Sequence, residues 1–244
     1  MSWIGLLLIG LGLTDLAFSV RPRTFLAGAT GAVSVLLLGL LADLTTVADL
    51  VALVLIAVVA FLWSPAVTRG LGGGSPAMPL ILAGVALSLV LVLSVYAGAG
   101  GGAFGRWLDG VPLGALRGME VDEALLLLGA VAIQMSTGNV LVRLVLAATG
   151  TLNPARHGTR GDPEVQLKGG RLLGPMERLF ILCLGLAGQL TAASIVVAAK
   201  GLLRFPELTS RREQERIHQL TEYFLVGSFV SWSVALSALV LLAS

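Results

Sequence analysis

The feature that most limits what this chain can fold into is the recurrence of long apolar runs. Residues 25–42, 76–96 and 223–243 contain no charged side chain. Several runs approach or exceed roughly 18 apolar residues, the length at which a helix crosses a bilayer. Composition agrees: 56% of the 244 residues are hydrophobic, 12% are charged and mean hydropathy is +0.94. A soluble domain carries about 25% charged residues. The expected fold class is therefore all-α, a polytopic membrane helix bundle of about seven transmembrane helices. A net charge of +2 gives no reason to expect a nucleic-acid partner.

Spans are expected at about 3–20, 25–42, 48–63, 76–96, 123–148, 175–199 and 219–243, forming a single transmembrane domain over 1–244. The third is the shortest, so six spans plus a re-entrant piece is the alternative. The first run lacks a basic n-region and a small-residue cleavage site, which makes it a retained helix and not a signal peptide. The glycine-rich segment 97–121 reads as a connector. Its run 98–105 lacks the preceding strand and the lysine of a nucleotide loop. Cys183 stands alone, so no intramolecular disulfide can form. Arginine dominates the basic residues, and with the Ala/Gly/Leu/Val excess this is the composition of a high-GC bacterial gene, an association and not a physical argument. The expected location is a bacterial cytoplasmic membrane. Arg21, Arg23, Arg69, Arg156, Arg160, Lys168 and Arg171 lie on one side of the expected topology. Arg106, Arg117, Lys200, Arg204, Arg211, Arg212 and Arg216 lie on the other. The positive-inside count ties, and the first helix tips the expectation to N-terminus outside and C-terminus inside.

The densest meeting of glycine, proline and charge is 168–178. Gly174-Pro175 reads as a helix start, with proline in the first turn, and Glu177 follows where the macrodipole favours a carboxylate. Ahead of it Gly169-Gly170 can turn so that backbone N–H groups converge, flanked by Lys168 and Arg171. Such a loop holds a phosphate or carboxylate. The alternative is that Lys168, Arg171 and Arg178 are interface anchors and Glu177 a cap.

Charges inside spans are costly and need partners or a water-lined site. Asp15, Arg143, Glu177 and Arg178 are expected at similar depth on one face, with Asn139 one turn from Arg143. Gln134, Ser136, Thr137 and Gly138 make this part of the fifth span polar and prone to distortion. These residues give two readings: a polar vestibule lined by helices 1, 5 and 6, or a structural ion pair plus a snorkelling arginine. Asp15 is expected to pair with Arg143 or Arg178.

A second polar cluster is expected at the opposite face: Lys200 and Arg204 ending the sixth span, and His218, Glu222 and Tyr223 opening the seventh. His218 and Glu222 are neighbours on a helix, but a metal site needs more ligands, so neither zinc nor any cofactor is expected. Cys183, Ala187 and Thr191, and likewise Gly227, Ser231 and Ala235, recur every four residues. Small residues at that spacing let membrane helices approach closely, within a protomer or across a homo-oligomer.

Three segments carry a family resemblance. They are Gly170-Arg171-Leu172-Leu173-Gly174-Pro175-Met176-Glu177-Arg178, Ala198-Ala199-Lys200 with Arg204-Phe205, and Glu222-Tyr223-Phe224-Leu225-Val226-Gly227. Together they resemble the G-R-x-x-G-x-x-E-R, A-A-K-x-x-x-R-F and E-Y-x-L-x-G segments of a family of bacterial integral membrane proteins of unassigned activity. The resemblance covers about the last third of the chain and implies topology and site placement, not an activity. Some such proteins begin with a histidine- and aspartate-containing first helix. Here Asp15 alone corresponds.

No serine–histidine pair, H-E-x-x-H or paired-aspartate motif is present, so no catalytic residue is assigned. The first expectation for function is binding or transport of a small anionic or lipid-phosphate ligand, with membrane lipid as partner. The second is a non-catalytic assembly partner of another membrane protein, and the third a lipid-modifying enzyme.

Overall fold

A computed structural model describes residues 1–112, 116, 118–151, 170–208 and 214–243, with the backbone alone described at 170, 171, 200–208 and 214–220. The fold is all-α, and six helices are long and apolar enough to cross a membrane: Ser2–Val20, Thr24–Leu41, Val47–Leu71, Ala77–Tyr96, Val121–Ala148 and Thr221–Ala243. The chain is thus a multi-pass membrane protein. It divides into two compact units, Met1–Thr137 and Gly138–Ala243.

The first unit contains α1 (Ser2–Val20), α2 (Thr24–Leu41), α3 (Val47–Leu71), α4 (Ala77–Leu93, prolonged by a 3-10 turn Ser94–Tyr96), α5 (Gly102–Gly110) and α6 (Val121–Ala132), which runs into a π-helical turn Ile133–Thr137. Helix α1 is the hub. Of its apolar window 61% is buried, against 11% for α4. Contacts fix the directions. Trp3 meets Asp49, and Asp15 meets Trp63, so α1 and α3 run parallel. Gly5 meets Leu125 and Gly12 meets Ala132, so α1 and α6 also run parallel, whereas Thr14 meets Gly31 on an antiparallel α2. A Cβ on Gly5 would lie 2.5 Å from the Leu125 carbonyl carbon. The hub helix reaches its neighbours at backbone distance because it has no side chain there.

Two expectations need correction in this unit. The third span, expected to stop at Ser64-Pro65, continues through Pro65 to Leu71. Proline removes one helical hydrogen bond, to the carbonyl four residues earlier, which is Phe61. That oxygen packs against Gly28 of α2, where a Cβ would sit 2.6 Å away. The Thr68 hydroxyl donates to the Ser64 and Pro65 carbonyls at 3.0 and 3.1 Å. Close packing and a side-chain donor thus carry the helix past its proline. Second, the segment 97–121 is more than a connector. It carries α5, and its start is tied down: Gly98 N–H donates to Asp49 at 3.1 Å and Gly101 N–H to the Ala42 carbonyl at 2.8 Å.

The second unit contains α7 (Gly138–Ala148), α8 (Gly170–Leu186), α9 (Leu190–Leu208) and α10 (Gln214–Ala243). The expected single span 175–199 is broken between α8 and α9. Gly188 has φ +72, Gln189 N–H donates to the Leu184 carbonyl at 2.8 Å and Gly188 N–H to the Gly185 carbonyl at 3.0 Å. These two crossed bonds around a left-handed glycine are the Schellman end of a helix. The break also interrupts the expected Cys183, Ala187, Thr191 stripe, and Cys183 is exposed. Helices α8 and α10 run parallel, with Arg178 against Ser231 and Gly185 against Leu239.

The hub packing makes a testable contrast. Gly5→Ala forces backbone apart and should destabilise the protein by about 1–3 kcal/mol. Gly84→Ala on α4 meets nothing within 4 Å and should be neutral or stabilising, since alanine is the better helix former. Thermal unfolding in detergent compares the two. Equal effects would show that α1 is not closely packed.

Candidate functional site

In the second unit, the centre is Arg178. Its position on α8 turns the side chain toward α7 and α10, and the residue is 1% exposed. The guanidinium donates to Asn139 Oδ1 at 2.9 Å and to Ser231 Oγ at 3.1 Å. Gly138 makes the room: a Cβ there would lie 2.5 Å from Arg178 Nε. The preceding residue is held in the same way. Glu177 Oε1 accepts from the Trp232 indole N–H at 2.7 Å. Consecutive residues of α8 therefore meet consecutive residues of α10, cation to hydroxyl and carboxylate to indole.

The structure brings Asn139 to Arg178 and adds Ser231, while the neighbouring Glu177 meets Trp232. Ser231 belongs to the small-residue stripe Gly227, Ser231, Ala235, so that stripe also supplies an acceptor. Arg143 is exposed on α7 and takes no part in the cluster. Of the expected glycine cradle, the structure describes only the backbone of Gly170 and Arg171. Helix α8 begins at Gly170, four residues before Gly174, and Pro175 lies inside it. The first four N–H groups of a helix have no helical acceptor, so a proline this close to the start removes only one bond. Gly170 and Arg171 are helical, with their side chains outside the described set. Lys168 and Gly169 lie outside the described residues. In the second expected cluster Lys200, Arg204 and His218 are helical by backbone alone. Glu222 is exposed and 3.5 Å from the Thr151 hydroxyl, and Tyr223 is half-buried.

In the first unit, Asp15 is 8% exposed. Its neighbour is Trp63, whose indole N–H is 3.0 Å from both carboxylate oxygens, while the expected partners Arg143 and Arg178 belong to the second unit. The cause is register: parallel α1 and α3 put residue 63 beside residue 15. The Thr137 hydroxyl neighbours the same carboxylate. One helical position earlier, Ser136 Oγ donates to the Gly12 carbonyl at 2.7 Å. Both belong to the π turn, a feature often found at functional sites. At the other end of α1 a second carboxylate, Asp49, is fully buried. It accepts from Trp3 at 2.8 Å, Thr46 at 2.6 Å and Gly98 at 3.1 Å. The sequence reading passed over Asp49, Trp3 and Trp63. The available signal was the reversed pair, Trp3 with Asp15 on one helix and Asp49 with Trp63 on another.

Among the described residues no group of three or more histidine, cysteine, aspartate or glutamate side chains could hold a metal ion. The chain matches no protein-family model, no curated protein and no solved structure.

The Arg178 cluster carries a direct test. Asn139→Leu leaves part of a buried guanidinium without its acceptor and should cost about 3 kcal/mol. Asn139→Asp keeps an acceptor and adds a counter-charge, so it should retain most of the stability. Denaturant unfolding in mixed micelles reads both. Equal loss from the two variants would show that the site depends on shape and not on the acceptor.

Proposed function

We propose that this chain is a multi-pass protein of a bacterial cytoplasmic membrane that binds or transports a small anionic solute or a lipid phosphate, with Arg178 as the recognising group. The observation that carries the reading is a fully buried guanidinium held by the neutral oxygens of Asn139 and Ser231. Arginine keeps its charge and offers five N–H donors in a planar fork. A phosphate or carboxylate that reaches it replaces neutral acceptors with an anionic one, adding ion-pair attraction to bonds the guanidinium already makes as a charged donor. Intramembrane arginines commonly mark such pathways. Glycines at 138 and 174 let the backbone close on the cluster: a Cβ on Gly174 would lie 3.0 Å from Asn139 Oδ1.

The test is native mass spectrometry of the protein in vesicle-derived nanodiscs containing phosphatidylglycerol and phosphatidylcholine, with inorganic phosphate as the competing probe. The wild type should retain phosphatidylglycerol or phosphate. Arg178→Gln should lose about tenfold in affinity or more, the value of one charge-assisted hydrogen bond, with Arg178→Lys intermediate. Competition by phosphate separates a free anion from a lipid headgroup. Equal retention by wild type and Arg178→Gln, both folded, would overturn the reading and leave the assembly role.

A further inference from the structure

We propose that Asp15 is a proton-exchanging site: a carboxyl that holds its proton within the packed core of the first unit and passes it to water at the α1–α2 end. Four observations carry this. The side chain is buried and, among the described residues, has no cationic partner; its neighbours are the Trp63 indole and the Thr137 hydroxyl. One indole N–H, shared between two oxygens, is a small return for an ionised carboxylate in hydrocarbon. The Thr137 oxygen is itself buried and makes no other hydrogen bond, so it is placed to accept the proton of the acid form. Asp15 is the last buried residue of α1, and everything beyond it to Val20 is exposed or half-buried. The exchange is –COOH + H₂O to –COO⁻ + H₃O⁺ and back, with the proton leaving toward Arg21 and Arg23, about 9 Å further along the helix.

Among the described residues of the first unit, no charged side chain stands beside this carboxyl. Helices α2 and α4 and the π turn carry no titratable side chain. On α3, exposed Arg69 is about 9 Å beyond Trp63, and Asp49 is roughly 20 Å away at the far end. Asp122 and Glu123 open α6 at that far end, and exposed Tyr96 ends the helix antiparallel to α3 there. The π turn beside this carboxyl is of the kind that recurs at functional sites.

The experiment is reaction of the intact wild-type protein in phospholipid vesicles with dicyclohexylcarbodiimide, which adds to protonated carboxyls in apolar surroundings. Adducts are mapped by peptide mass spectrometry. An adduct on Asp15 should form, and faster as pH falls between about 8 and 5. Trp63→Phe removes a donor to the ionised form, so this variant should be labelled faster than the wild type at the same pH. Asp15→Asn removes the adduct. Infrared spectroscopy of the wild type at about pH 5, with Asp15→Asn as reference, should show a protonated-acid carbonyl band from this residue. Absence of an Asp15 adduct throughout that range, together with only the ionised carboxylate band, would overturn the proposal.

Discussion

Two indole–carboxylate hydrogen bonds set the frame of the first unit. Trp3 donates to Asp49 and Trp63 donates to Asp15. Each helix gives one indole and one carboxylate, in opposite order. The pairs stand about 12 to 14 residues apart, roughly 20 Å along parallel α1 and α3. In hydrocarbon, hydrophobicity gives helices no register, since lipid tails are as apolar as leucine. Polar pairs supply it. Once α1 and α3 are locked, the glycine faces of α1 admit α2 and α6 at backbone distance, and the π turn is brought against Gly12. The second unit uses the same bond once more, Trp232 to Glu177. Of the four tryptophans in the chain, these three serve as internal donors and not as interface anchors.

The donors around them decide how differently the three carboxylates behave. Asp49 sits at the first turn of α3, where Thr46 caps the helix and donates to the carboxylate, and backbone and indole donors complete the set. It is a structural carboxylate. Glu177 shares its neighbourhood with Arg178. Among the described residues of its unit, Asp15 has neither a cap nor a cation, and its neighbours are an indole and a threonine at a distorted turn. The same side-chain chemistry therefore gives a staple at one end of α1 and a site with exchange chemistry at the other.

The helical class and most spans were legible because length and apolarity alone decide what can cross a membrane. Breaks were less so. Pro65 reads as a stop, but a close glycine and Thr68 carry the helix through it. Residues 187–189 read as continuous helix, but left-handed Gly188 ends one helix and Gln189 precedes the next. Sequence reading picked out Asp15, Asn139, Glu177 and Arg178 because each is polar within an apolar run. It looked for an arginine beside Asp15, because charge favoured one, and did not foresee that register puts Trp63 there. Indoles within apolar runs read as core, so their N–H groups were not counted as donors. Ser231 was read as a small packing residue, although its hydroxyl is what meets Arg178.

The central claim is that paired indole and carboxylate groups hold α1 to α3. A double-mutant cycle on Trp63→Phe and Asp15→Asn, repeated on Trp3→Phe and Asp49→Asn, tests it in reversible unfolding from bicelles. The pairs should show coupling of about 1 kcal/mol or more, at the upper end of what polar contacts between membrane helices give. The crossed combinations, Trp63→Phe with Asp49→Asn and Trp3→Phe with Asp15→Asn, should be additive. Additive behaviour within the bonded pairs, or equal coupling in the crossed ones, would contradict the account.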